Sequence, residues 1–263
     1  MQYALVSGGS KGIGYAIARA LARRKFNLVL IARNQEDLAK AKSNLENDYP
    51  VQVSTLALDI SLPSSAAFIA QWCNQHNIPL KMLCNVAGIG GSADYLSASL
   101  TDTLYMLRLN TEPAIALTYE LLPLLKKNRP SHILNVSSMA GLAPLAAKNV
   151  YSATKSAILF FSCSLRYQLK KDKVGVSCLC PGPVFTKPEI QEDTIAKLGW
   201  FGKKMAVAAD SAGETAVRQT LHNKMIIVPG TLARIVAVLL RILPLQTVNF
   251  LVSHAGVKKT GIK

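Results

Sequence analysis

The chain has 263 residues, half of them apolar and 17% charged, which excludes a disordered polymer and allows a substantial core. Its formal net charge of +15 points to an anionic partner: a phosphorylated cofactor, an acidic membrane surface or nucleic acid. The alternative is a basic enzyme whose charge is spread over its surface. No linker, internal repeat or low-complexity stretch divides the sequence. A catalytic domain over residues 1–230 is expected, with 231–263 as an apolar helix and basic tail packed on or appended to it. The five cysteines match no zinc or disulfide framework, which suggests a reducing, cytoplasmic setting. No signal-peptide pattern opens the chain, and no uncharged apolar run reaches membrane-spanning length.

In chain order, short strand-like runs alternate with longer helical ones. Strand Tyr3–Ser7 leads to helix Ile13–Arg24, and strand Asn27–Ala32 to helix Gln35–Asn47. Strand Val51–Ala57 precedes a helix over Pro63–His76, opened by its proline and capped near Ser61 or Leu62. Strand Met82–Asn85, helix Asn110–Lys127 and strand His132–Ser137 follow, then helix Tyr151–Lys171 and strand Gly175–Cys180. This alternation predicts an α/β fold: a doubly wound parallel sheet of Rossmann type with helices on both faces. Ligands in such folds sit beyond the carboxyl ends of the strands.

One such end carries Ser7-Gly8-Gly9-Ser10-Lys11-Gly12-Ile13-Gly14. Glycines there permit positive φ and a close backbone approach to a pyrophosphate, and the helix start adds partial positive charge. A purely structural tight turn is the alternative. The second strand ends in Ala32-Arg33, where many dinucleotide folds place an acid that binds the ribose 2′-hydroxyl. A guanidinium there suits a 2′-phosphate, and Lys11 supplies a second charge, so NADP (NADPH) is the expected cofactor. A solvated Arg33 without that role is the alternative.

Tyr151 and Lys155 form a Y-x3-K pair sharing one helical face. A phenol titrates near 10 when unperturbed, and an ammonium beside it lowers that value, so the pair suits acid-base work.

These segments together resemble the short-chain dehydrogenase/reductase family from Tyr3 to about Thr186. The turn is similar to TGxxxGIG with Ser7 replacing Thr, and Asn85-Val86-Ala87-Gly88 to NNAG with Val86 replacing the second Asn. Ser138 precedes Tyr151 by thirteen residues, as the family's catalytic Ser does. Pro181-Gly182-Pro183-Val184-Phe185-Thr186 resembles PGxxxT. The resemblance implies catalytic Asn110, Ser138, Tyr151 and Lys155. It implies cofactor contacts at Gly8, Ser10, Lys11, Gly12, Ile13, Gly14, Arg33, Asp59, Ile60, Asn85, Ala87, Gly88, Tyr151, Lys155, Pro181, Gly182, Val184 and Thr186. Tyr151 would donate a proton, Ser138 would hydrogen-bond the carbonyl oxygen, and Lys155 would hold the nicotinamide ribose and lower the Tyr151 pKa. Asn110, at a helix start, would position a water, and Thr186 would meet the carboxamide. No metal is expected.

The resemblance places substrate contacts in Lys187–Leu221, where Ile190, Leu198, Trp200, Phe201 and Met205 would line a pocket or pack ordinarily. Thr231–Leu243 is apolar except for Arg234 and Arg241, and Lys258, Lys259 and Lys263 follow. Its cover is the core, a second subunit of a homo-oligomer, or a membrane touched peripherally through 231–252 from its inner face. The tail loosely resembles lipid and long-chain 3-ketoacyl or 3-ketodihydrosphingosine reductases. The expected activity is ketone-alcohol interconversion on a small-molecule carbonyl compound, including acyl-lipid ketones. The alternative is a non-catalytic NADP-sensing protein on the same fold. No motif supports nucleic-acid binding.

Overall fold

The computed structural model describes residues 2–90, 95, 98–145, 148–185 and 202–250. Six strands carry most of the sheet: β1 (Tyr3–Ser7), β2 (Asn27–Ala32), β3 (Val53–Ala57), β4 (Leu80–Asn85), β5 (Ser131–Val136) and β6 (Val174–Leu179). The helices between them are α1 (Gly12–Ala22), α2 (Gln35–Asp48), α3 (Ser65–Gln75), α4 (Leu100–Lys127) and α5 (Asn149–Gln168). Then come β7 (Val184–Phe185), β8 (Val207–Ala208), α6 (Ala209–Leu221), β9 (Ile226–Ile227) and α7 (Thr231–Ile242). The main sheet runs β3-β2-β1-β4-β5-β6-β9 with every pairing parallel, which is the doubly wound order.

Strand side chains alternate between two cores. Ala4 and Val6 of β1, with Leu28 and Leu30 of β2, face Ile17 and Leu21 of α1. Leu5, Val29 and Ile31 face the opposite way, toward Ile69 of α3 and Leu117 and Leu121 of α4. Burial on both faces explains why these strands read as continuous apolar runs.

Helix α6 packs closely on α1 through small residues: a Cβ on Gly213 would lie 2.5 Å from the Ala16 carbonyl carbon. Within the expected substrate segment Lys187–Leu221, the last third has Ala212, Ala216 and Val217 in the core. Ile190, Leu198, Trp200 and Phe201 lie outside the described residues.

Two helix starts also differ from expectation. Helix α4 begins at Leu100, where the Ser99 hydroxyl accepts the Asp102 amide at 3.0 Å, so Asn110 lies well inside the helix. Pro113 sits within it and offers no N–H to the Leu109 carbonyl. Helix α3 starts at Ser65 rather than Pro63, and the Ser65 hydroxyl donates to the Asp59 carbonyl at 2.6 Å.

Gly213→Val should lower the unfolding free energy by about 2–3 kcal/mol in urea titrations, because the rigid Ala16 backbone has no room for the added methyls.

Candidate active site

The carboxyl ends of β1, β4 and β5 converge. Gly8 has φ +70°, and a Cβ on it would touch the Ala87 Cα at 3.0 Å. A Cβ on Gly14 would fall 2.0 Å from the Gly8 carbonyl oxygen, so only glycine fits. Ser7, in place of Thr, fastens β1 to β4: its hydroxyl accepts the Val86 and Ala87 amides at 3.0 and 3.3 Å. Gly12 has φ +57° and opens α1. That helix start has no side-chain cap and no acid in its first turn, so amide donors near Gly12, Ile13 and Gly14 remain for an anion. Ser10 is half-buried in the same turn.

At the end of β2, Arg33 is exposed and its Nη1 donates to the Tyr105 hydroxyl of α4 at 3.1 Å. Lys11 pairs with Asp37 at 2.7 Å. Sequence reading did not foresee either partner, because Tyr105 lies 72 residues from Arg33. Asp59 beyond β3 accepts the Ser61 amide and hydroxyl at 2.9 and 2.7 Å. Burial pushes its pKa up, but these hydrogen bonds and Arg33 outweigh that and hold it below the usual value. Ile60 packs partly on the core beneath. The Asn85 amide turns into the sheet, donating to Thr118 and Asn135 at 3.1 and 2.8 Å, a structural tie between β4, α4 and β5.

The expected catalytic residues meet at one place. Ser138 follows β5, and its hydroxyl accepts the Ala140 amide at 3.1 Å and hydrogen-bonds Tyr151. The Lys155 Nζ lies 5.7 Å from the Tyr151 ring centroid and donates to the Val136 carbonyl at 3.2 Å. The Asn110 amide donates to the Ile89 carbonyl and accepts the Ile89 N–H, at 2.9 and 2.8 Å, and also donates to Thr154. Gly88 sits between: a Cβ there would lie 2.8 Å from Asn110 Oδ1 and 3.5 Å from Lys155 Nζ. Lys148 also approaches the Tyr151 ring, 5.8 Å from its centroid, three residues before it and absent from the expected set.

Pro181, Gly182 and Val184 border this region. The Pro181 carbonyl accepts the Met139 amide at 2.9 Å, Val184 pairs with Val207, and Gly182 lies near Met139. Thr186 lies outside the described residues. Cys178 and Cys180 are buried free thiols.

The electrostatics differ from one expectation. Burial pushes the Tyr151 phenol up, with only the Ser138 hydrogen bond opposing it. The Lys155 ammonium, 5.7 Å from the ring centroid, does not offset that burial. Burial likewise brings Lys155 down to about 8, against the pull of the Cys178 and Cys180 sulfurs. Among the described residues, no His, Cys, Asp and Glu cluster could hold a metal.

A model of the short chain dehydrogenase family matches residues 2–196. The chain belongs to that family. It is 30% identical over 180 residues to the ketoacyl reductase HetN of Nostoc sp., covering 68% of this chain and 62% of that one. It is 31% identical over 203 residues to the very-long-chain 3-oxoacyl-CoA reductase of Mus musculus, covering 74% and 64% respectively. The chain thus spans a little under two thirds of the length of these relatives. The L-sorbose reductase of Gluconobacter frateurii, solved with NADPH and L-sorbose, shares the fold with TM-score 0.78 and 22% identity, over 87% of this chain and 94% of that one.

The Lys155 shift has a definite sign. A free lysine titrates near 10.4, so between about 8 and about 10.4 the unfolded chain binds more protons and stability rises with pH. Below about 8 the buried charge carries its full cost. Lys155→Met should therefore raise the melting temperature at about pH 7, and raise it less at about pH 9.5. Thermal melts of both proteins check this; an equal gain at both pH values would rule out the buried charge as its source.

Proposed function

We propose that this chain interconverts a ketone and a secondary alcohol with NADPH, with acyl-lipid ketones among its substrates. The observation that carries this reading is the meeting of Ser138, Tyr151, Lys155 and Asn110 beside an uncapped helix start. The cradle fits a dinucleotide: Gly14 keeps the Gly8 carbonyl close to the helix, and amide donors remain for a pyrophosphate. The turn from Gly8 to Gly14 would hold that pyrophosphate, Asp59 and Ile60 the adenine side, and Asn85, Ala87 and Gly88 the wall between. Pro181, Gly182, Val184 and Thr186 would flank the nicotinamide, and Lys155 its ribose.

Bound NADPH supplies the hydride. Tyr151 donates the proton to the carbonyl oxygen, and Ser138 hydrogen-bonds that oxygen as its charge develops. With the Ala140 amide bonded to a Ser138 lone pair, the hydroxyl hydrogen that meets Tyr151 would turn to the substrate oxygen. A phenol held neutral by burial is poised as an acid rather than as a phenolate. Lys155, brought to about 8, exchanges protons near neutral pH and can restore the one that Tyr151 gives up. Asn110 acts by position, bracing the chain at Ile89 and the α5 turn at Thr154. The apolar side chains exposed on α4 and α5, among them Leu104, Ile115, Tyr119 and Phe160, support a homo-oligomer joined through those helices.

Tyr151→Phe should reduce ketone-dependent NADPH oxidation by about 10²–10⁴-fold while NADPH still binds, as followed by its fluorescence. Near-normal turnover would end the proposal.

Arg33 would pair with a 2′-phosphate, and its hydrogen bond to Tyr105 would steady the guanidinium. Arg33→Asp should lower the ratio of kcat/KM for NADPH over NADH by at least about tenfold, the effect of losing one charge-assisted hydrogen bond. An unchanged ratio would place cofactor discrimination elsewhere.

A further inference from the structure

Helix α7 meets the body through its smallest side chains. Ala233 and Ala237 are buried beside Leu159, Cys178, Cys180 and Val228. Ile235, Val238, Leu239 and Ile242 stand on the opposite side, between 51% and 74% exposed. Their spacing is i, i+3, i+4 and i+7, one continuous apolar stripe. A helix serving only its own core would point this stripe inward. Leu245, beyond Pro244, extends the exposed apolar surface.

The charge on this stretch of the sequence has one sign. Arg234 and Arg241, seven residues apart, lie together along one flank of the helix. From Thr215 to Lys263 the sequence holds seven Lys and Arg and no Asp or Glu. The apolar face of α4 is different, because Arg108 and Glu112 interrupt it with both signs. Mixed charge suits a protein partner, whereas an apolar stripe with a cationic flank suits an anionic lipid surface.

We propose that α7 is an in-plane docking surface for an anionic bilayer. The apolar stripe enters the boundary between headgroups and acyl chains, and the arginines meet lipid phosphates. Among the described residues no helix is long and apolar enough to cross a membrane, so α7 lies on the surface rather than through it. Its buried side touches the catalytic region: the Ala233 Cβ is 4.0 Å from where a Gly182 side chain would begin, and Met139 packs on the same cluster. Docking therefore holds the nicotinamide end of the site close to the lipid, where an acyl-lipid ketone is already concentrated. This last clause rests on the ketone chemistry proposed above; the docking itself does not.

The test is sedimentation of the full chain with vesicles of phosphatidylcholine alone, or with about 30% phosphatidylglycerol. The expected result is binding to the anionic vesicles at least about tenfold stronger than to neutral ones, and weaker in about 0.5 M salt. The Leu239→Glu/Ile242→Glu double variant should lose vesicle binding, and Arg234→Gln/Arg241→Gln should lose the anionic preference. Both should keep wild-type NADPH fluorescence, which reports an intact fold. Absence of wild-type binding to anionic vesicles, or equal binding by Leu239→Glu/Ile242→Glu, overturns the proposal. So does a wild-type dimer that the same variant converts to monomer without either binding vesicles, since α7 would then join two copies. Vesicle binding is read without turnover, so its failure is separable from failure of the Tyr151 assignment.

Discussion

The organisation of the site depends on the contact between Gly14 and the Gly8 carbonyl. At 2.0 Å from where a Cβ would stand, that oxygen forbids any side chain on the helix. The closure lets the chain leave β1 and enter α1 almost at once, with positive φ at Gly8 and Gly12. Gly8 is thereby pressed on Ala87, and the Ser7 hydroxyl reaches the amides at the end of β4. The first and fourth strands then end side by side, with Asn110 and Lys155 meeting across Gly88. A turn that is poor in contacts of its own thus sets the spacing of the groups proposed to bind and react.

A second constraint is electrostatic. Tyr151 and Lys155 are both pushed toward their neutral forms, because the sheet ends and α5 exclude water around them. Burying an ammonium against the Val136 carbonyl is a poor way to stabilise a fold. Under the proposed chemistry the arrangement is preorganisation, in which folding energy holds the reacting groups where water would otherwise relax them.

The parallel sheet was legible because its strands are buried on both faces and so run apolar without interruption, and β1 and β2 fall where their patterns place them. That Tyr151, Lys155 and Ser138 come together was legible through their spacing. The start of α4 was not. Pro113 is tolerated in a first turn, which makes Asn110 a plausible beginning, yet the helix passes through the proline. The Ser99-to-Asp102 cap was the available signal. Strand β9 has only two residues and no period to detect, and α6 reads as an ordinary amphipathic segment until Gly213 meets Ala16. The Arg33–Tyr105 contact is invisible to local patterns because the fold alone brings those residues together.

The α1–α6 contact also has a consequence for biogenesis. The first helix needs a partner that is synthesised nearly two hundred residues later. At about 5–20 residues per second, its alanine-rich face waits roughly 10–40 s for that partner. During that interval the emerging chain presents an unfinished apolar layer at the ribosome. The last quarter of the polypeptide, rather than the glycine turn, therefore decides when that layer closes.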